Sequence, residues 1–261
     1  EYYSENNEIY EIIIIGAPVY KDKINFPQIA KNLLNSKNIH KDVASINGQF
    51  LIIIRDKKEN KLKIINDRFN GIHLYWADFN DHFVASFLYF DLFKYLRKKI
   101  NFSIKGRSML EFIWMIRVMG EKTYDNFSKY LLPASILEIG KLNPSIIKYW
   151  RPDFTKEKRT INKLGSKYID LLKTSLKRQT SDYKEKKFGC YFSSGLDSRT
   201  VVAAAPTYIN KLTSYTVSFN DNLEVKYARE AAEEAGSVHR FIKIDNDHLA
   251  KNLEANIRIC G

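Results

Sequence analysis

The sequence predicts a two-part chain: an antiparallel, β-rich first half followed by a parallel α/β second half. Three observations predict it. Short β-favouring runs recur at close spacing over residues 9–90, broken by turn signals. Beyond residue 162 strand and helix alternate, the rhythm of parallel strands joined by crossovers. Between them, around "KYWRPDF", the composition changes and Pro152 marks a linker.

In the first half, "IYEIIIIGAPVY" reads as a strand and "FPQIAKNLLNS" as a helix. "GQFLIIIRD", "KLKIINDRF", "HLYWADF" and "HFVASFLYF" then follow as strands, separated by "KKEN", "NG" and "NDH". Spacing this close implies hairpins. "DLFKYLRKK" reads as a helix, and "SMLEFIWMIRVMG" as a helix with a buried face, ending at Gly120. In the second half, "NKLGSKYIDLLKTSLKRQTSDY" carries Leu164, Tyr168, Leu171, Leu172 and Leu176 on one helical face. Strand "FGCYF", helix "SRTVVAAA", strand "KLTSYTVSF", helix "LEVKYAREAAEEAG" and strand "HRFIKI" complete the reading.

The bulk properties narrow the function classes. A chain of 261 residues with 44% hydrophobic and 28% charged residues can bury a sizeable core, which excludes wholesale disorder. The net charge of +12 suits nucleic acid, an anionic membrane or a polyanionic nucleotide. The lysines are scattered among Asn and Ile, and no segment interleaves basic and aromatic residues, so nucleic acid is not expected. The longest apolar runs are too short to span a bilayer, and no basic-then-apolar signal opens the chain. A cytoplasmic protein with no membrane partner is the expectation. Cys190 and Cys260 support neither a disulfide framework nor a zinc spacing; each reads as a small hydrophobe.

The stretch with chemistry in it is "FGCYFSSGLDSRTVVAAA". In an open parallel sheet, ligands bind beyond the carboxyl ends of the strands. Ser193-Ser194-Gly195-Leu196-Asp197-Ser198 sits at such an end, just before a helix start whose free N–H groups suit an anion. Gly195 admits close backbone approach and the serines add donors. Asp197 would repel a bare phosphate, so it either caps the helix or holds a Mg²⁺ bridging to phosphate oxygens. The alternative is a capped turn with no ligand. The Walker-type and dinucleotide fingerprints are both absent.

"SSGLDS" resembles the S-G-G-x-D-S pyrophosphate loop of the asparagine synthetase family, whose members cleave ATP to AMP and pyrophosphate. "SYTVSF" and "EVKYAREAAEEAGSVHRFIKI" are similar to that family's next strand, helix and histidine segment. "INGQFLIIIRDKKENKLKIINDRFNGIHLYW" resembles part of its glutaminase domain, and "EKTYDNFSKYLLPASILEIGKLNPSIIKYW" the segment leading to its synthetase domain. The resemblance implies a partial Ntn-hydrolase-like antiparallel domain over 1–150 and a truncated PP-loop α/β synthetase domain over 157–261. Its cofactors would be ATP and Mg²⁺. Its reaction would be adenylation of a carboxylate, aspartate or similar, followed by amine attack. Partners would be a small-molecule or peptide carboxylate and an amine donor, with a homodimer left open.

Carried over by position, the resemblance implies that Ser193, Ser194, Gly195, Leu196 and Ser198 hold pyrophosphate and Asp197 the metal. Tyr191 or Phe192, with Val217, would line an adenine pocket; read without the resemblance, those three are core positions. His239 and Glu224 stay outside the expected site, and no catalytic residue is named. The departures are equally specific. The family's glutaminase needs an N-terminal Cys and an Asn-Gly oxyanion pair; here Ile15 precedes Gly16, so no glutamine hydrolysis is expected. The chain opens on Glu1 and stops soon after "HRFIKI", so a longer natural protein is expected. The alternatives are an intramolecular ligase of the β-lactam synthetase or lasso-cyclase kind, and a nucleotide-binding member without chemistry.

Overall fold

The structure is a computed structural model that describes residues 1–79, 82–140, 143–156, 158–183, 187–205, 209 and 212–260. The first elements are β1 (Tyr2–Asn6), β2 (Tyr10–Tyr20), β3 (Lys23–Ile24), α1 (Phe26–Leu34), α2 (Ile39–Ala44), β4 (Asn47–Asp56) and β5 (Lys61–Asn66). Then come β6 (Tyr75–Phe79), β7 (His82–Ser86), α3 (Tyr89–Arg97), α4 (Gly106–Met115), β8 (Ser128–Tyr130), β9 (Ser135–Ile139) and β10 (Ser145–Lys148). The remainder is α5 (Ile161–Thr180), a 3₁₀ turn at Ser181–Tyr183, β11 (Phe188–Tyr191), α6 (Leu196–Ala204) and β12 (Leu212–Ser218). Finally come α7 (Leu223–Glu234), β13 (Val238–Lys243), α8 (His248–Lys251) and α9 (Leu253–Cys260). The chain divides into two compact units: Glu1–Tyr20, Asn25–Asp153 and Glu254–Gly261 in one, Lys21–Ile24 and Phe154–Leu253 in the other.

The first unit is built on an antiparallel sheet ordered β1-β2-β4-β5-β9-β10, with a second small sheet ordered β7-β6-β8. Period-two alternation sends Phe50, Ile52 and Ile54 of β4 to one face and Leu51 to the other. The first face packs with Ile12 and Ile14 against Ile29, Ala30 and Leu33 of α1 and Val43 of α2. The second packs with Ile64 and Leu137 against Leu74, Trp76 and Leu131. Both faces are covered, which is why "FLIII" reads as an unbroken apolar run instead of an alternating one. Each such side chain contributes about 1.5–3 kcal/mol by leaving water. Asn25 caps α1 by accepting from the Gln28 N–H at 3.1 Å.

A buried carboxylate ties the turn after β5 to β4. Asp67 accepts from the backbone N–H groups of Phe50 (3.2 Å), Phe69 (2.8 Å) and Gly71 (2.9 Å). Beside it, Asn66 receives the Ser135 N–H at 2.8 Å and donates to Asn70 and to the Leu132 carbonyl, each at 2.8 Å. A buried polar group must be paired to be tolerated, and here each is.

The second unit holds a three-stranded parallel sheet, β11-β12-β13, as the strand–helix alternation predicts. Val202 and Ala205, with Ala228 and Ala232 of α7, bury one face against Phe192 and Leu212. Small residues on these helices let them approach the sheet closely. Asn222 caps α7, accepting from the Val225 N–H at 3.1 Å.

Two expectations are corrected, and one apolar stripe the sequence shows is found uncovered. The helix expected to run to Gly120 with a buried face is α4, which ends at Met115 with Ile116 in the left-handed region. Its apolar residues occupy every side of the helix, only Ser108 is buried, and Trp114 is 83% exposed. The apolar stripe of α5 is likewise open, with Leu164, Tyr168 and Leu171 exposed and only the helix end, near Leu176, packed on the core of this unit. Finally, the helix after the loop begins at Leu196, two residues earlier than "SRTVVAAA" suggests. Among the described residues no helix is long and apolar enough to cross a membrane.

Candidate functional site

The candidate site is the turn from β11 into α6. Phe192 ends the strand extension: its N–H donates to the Tyr215 carbonyl at 2.8 Å, and its own carbonyl accepts from Thr216 Oγ1. Ser193 then leaves the sheet, and Ser194 adopts φ +57°, the left-handed conformation that turns the chain. Gly195 (φ −67°, ψ 159°) is the N-cap of α6, and no side chain caps this helix. The first N–H groups of α6 therefore face outward beneath an exposed loop, the arrangement that suits an anion.

The hydroxyls converge on the same turn. Ser198 Oγ donates to the Gly195 carbonyl at 3.1 Å and lies 3.4 Å from Ser193 Oγ. Asp197 is the second residue of α6, so it is not the N-cap, and capping does not explain it. It is exposed, with its charge in the first turn, where the helix dipole favours it. Leu196 is exposed as well. Among the described residues no cluster of three His, Cys, Asp or Glu side chains could by itself hold a metal.

The two adjacent expected pocket positions, Tyr191 at the end of β11 and Phe192 just after it, separate. Phe192 is 2% exposed and belongs to the core with Val202 and Leu212; Tyr191 points the other way and is 84% exposed. Val217 of β12 is on the open face with Tyr191, by the strand alternation, and is 44% exposed. The structure thus brings Ser193, Ser194, Gly195, Asp197 and Ser198 together at one turn and places Tyr191 and Val217 on the adjoining sheet face. Phe192 underlies the turn from the buried side.

Cys190 is half-buried, and burial pushes its thiol up, away from the reactive thiolate. The side chain of Cys260 lies outside the described residues. Sequence reasoning missed Ser214 and Thr216, and it set His239 aside. Ser214 and Thr216 are buried on β12, and Ser214 Oγ lies 3.1 Å from His239 Nδ1 on β13. Their signal was available: two hydroxyls at alternate positions of a strand whose other inward residue is apolar.

Residues 167–261 match the family model for asparagine synthase. The match is confined to that stretch and does not extend over residues 1–166. That family is one of ATP-dependent, amide-forming synthetases, and the match supports a ligase-type reading of this stretch at that coarse level. No curated protein matches the chain. Among solved structures, a glutamine phosphoribosylpyrophosphate amidotransferase from B. subtilis, complexed with ADP and GMP, is similar over 94% of this chain and 73% of its own. Identity is 9% and the TM-score 0.34, a likeness too slight to carry an argument about fold or ligand.

Proposed function

We propose that the asparagine synthase domain binds MgATP at the β11–α6 turn and adenylates a carboxylate, releasing pyrophosphate before an amine attacks. The observation that supports this most is the uncapped start of α6 beneath Ser193, Ser198 and the left-handed Ser194. Phosphate oxygens would take the helix N–H groups and the hydroxyls of Ser193, Ser194 and Ser198. Mg²⁺ is held through one or two carboxylates plus substrate phosphates, so the lone, exposed Asp197 fits it without a protein cage. Tyr191 and Val217 would offer apolar contact to the base.

In this reading, a carboxylate oxygen attacks the α-phosphorus and pyrophosphate leaves. The amine then attacks the acyl carbon and AMP departs with the bonding pair. The turn's task is to position the triphosphate and neutralise the leaving group.

The first unit is proposed as an Ntn-hydrolase-like scaffold over 1–150 that does not hydrolyse glutamine. Two features of the place where the resemblance puts the oxyanion donors support this. Ile15 has no side-chain donor, and the Gly16 N–H already donates to the Glu1 carbonyl at 2.9 Å. The same features favour an amine supplied by the substrate over ammonia from glutamine, as in an intramolecular ligase.

ATP–pyrophosphate exchange with Mg²⁺ across aspartate and other carboxylates, in the full-length protein, tests the reading. Exchange with one acid class is expected. Asp197→Ala should lower it roughly a hundredfold or more, because a metal at transferring phosphates is worth several kcal/mol. ATP binding without exchange for any acid would leave a nucleotide-binding module and sink the ligase reading.

A further inference from the structure

Beneath the turn lies a polar group that the proposed chemistry does not use. His239 Nδ1 is 3.1 Å from Ser214 Oγ, which is itself 3.3 Å from Ser237 Oγ. The other ring nitrogen, Nε2, is buried and has no hydrogen-bond partner among the described residues. The imidazole meets the Phe192 ring edge-to-face, with centroids 6.2 Å apart. Phe192 is the last residue before Ser193, and its backbone N–H and carbonyl are both held by β12. A contiguous path therefore runs from β13 through His239 and Phe192 into the turn.

The arrangement is costly for a residue with only a packing role. Leaving a ring nitrogen buried and unpaired forfeits a hydrogen bond that an apolar side chain would not need. What the imidazole does is fill the space under Phe192 while its Nδ1 engages Ser214, which fixes the ring's rotation. An aromatic ring held edge-on restricts the Phe192 rotamer in a way an aliphatic side chain does not.

We propose that His239 is a positioning residue for the β11–α6 turn: its ring, oriented by Ser214, holds Phe192 and thereby sets where Ser193 and the start of α6 stand. This rests on the nucleotide reading for its effect on binding, but its structural content, the order of the turn, can be read without any nucleotide.

The experiment pairs two readouts on four proteins: wild type, His239→Ala, His239→Asn, and the double variant His239→Phe with Ser214→Ala. The first readout is amide hydrogen exchange over residues 193–199; the second is the Kd for MgATP. His239→Ala removes the ring, and His239→Asn keeps a partner for Ser214 but not the ring. Both should speed exchange across the turn and weaken MgATP about tenfold, the loss of one aromatic contact. The double variant restores a ring without the Ser214 anchor that fixes its rotation, so it should recover part of the slow exchange and of the affinity, between His239→Ala and wild type.

Unchanged turn exchange in His239→Ala overturns the proposal. So does a double variant that behaves like His239→Ala while remaining folded by far-UV circular dichroism. If wild type binds no MgATP yet His239→Ala still loosens the turn, the nucleotide reading fails and the positioning role stands.

Discussion

Two left-handed backbone positions, one in each unit, have opposite fates. Gly16 in β2 has φ +103°, and its N–H is taken by the Glu1 carbonyl within a closed strand ladder. Ser194 has φ +57° at the end of a strand, and the helix that follows it carries no side-chain cap. A left-handed residue inside a ladder turns backbone groups toward each other and uses them up. The same device at a sheet's carboxyl end turns them toward solvent. The difference separates a place where the fold has closed over its own donors from one where it presents them.

The closed place should be the more fragile to substitution. Gly48 faces β2 with φ +84°, and a Cβ there would stand 2.2 Å from the Ala17 carbonyl oxygen; at Gly16 the corresponding approach, to the Gln49 carbonyl, is 2.3 Å. Both contacts are backbone, so neither can swing aside. Gly48→Ala should therefore destabilise the protein by roughly 3 kcal/mol or more, a backbone clash added to an unfavourable φ. A urea denaturation midpoint unchanged from wild type would mean that β2 and β4 are loosely paired and would erase the contrast.

How much of this contrast was legible follows from what periodicity reports. The turn at 193–198 was readable because Gly and Ser between an apolar run and small helical residues have few structural uses, and its strand–helix–strand setting is local in sequence. The antiparallel ladder was readable as strands, but not the engagement of the Gly16 N–H, which depends on Glu1, the residue just before β1. α4 failed for a different reason. Met109, Leu110, Phe112, Ile113 and Trp114 give an apolar helix, but hydrophobicity states what a residue would gain from burial and not what lies over it. Phe192 and Tyr191 could not be told apart without the register, since successive strand residues take opposite faces and only the sheet shows which is covered.

A smaller effect should appear on acidification. Burial, and then the nearby Arg229 guanidinium, hold the His239 imidazole below its ordinary value of 6.5. The folded state therefore keeps this ring neutral where the unfolded chain has begun to take up a proton. Its contribution to stability is fully present above about pH 6.5 and declines as the pH falls toward the folded-state value, because the unfolded state then binds more protons. The variant carrying His239→Phe and Ser214→Ala lacks this group, so wild type should lose more stability than the variant between pH 7 and pH 5. Parallel loss in the two proteins would show that the buried Nε2 accepts a proton without cost, and the closed character of the space beneath the turn would have to be abandoned.

The smallest change separates the two things Ser194 supplies, a conformation and a hydroxyl. Left-handed φ in a non-glycine residue costs roughly 1 kcal/mol, and glycine removes that cost. Glycine also frees the unfolded chain, which offsets the gain by about 0.5–1 kcal/mol. Ser194→Gly should therefore leave the denaturation midpoint nearly where it is. The hydroxyl is a separate matter: if it meets a phosphate oxygen, its loss should weaken MgATP binding severalfold, the worth of about one net hydrogen bond. Calorimetry on the folded variant distinguishes these terms. Weaker binding at unchanged stability assigns the hydroxyl to the ligand. Equal or tighter binding assigns the turn's function to its backbone alone, and the open site would then owe its character to the same feature as the closed one, differing only in which way the N–H groups point.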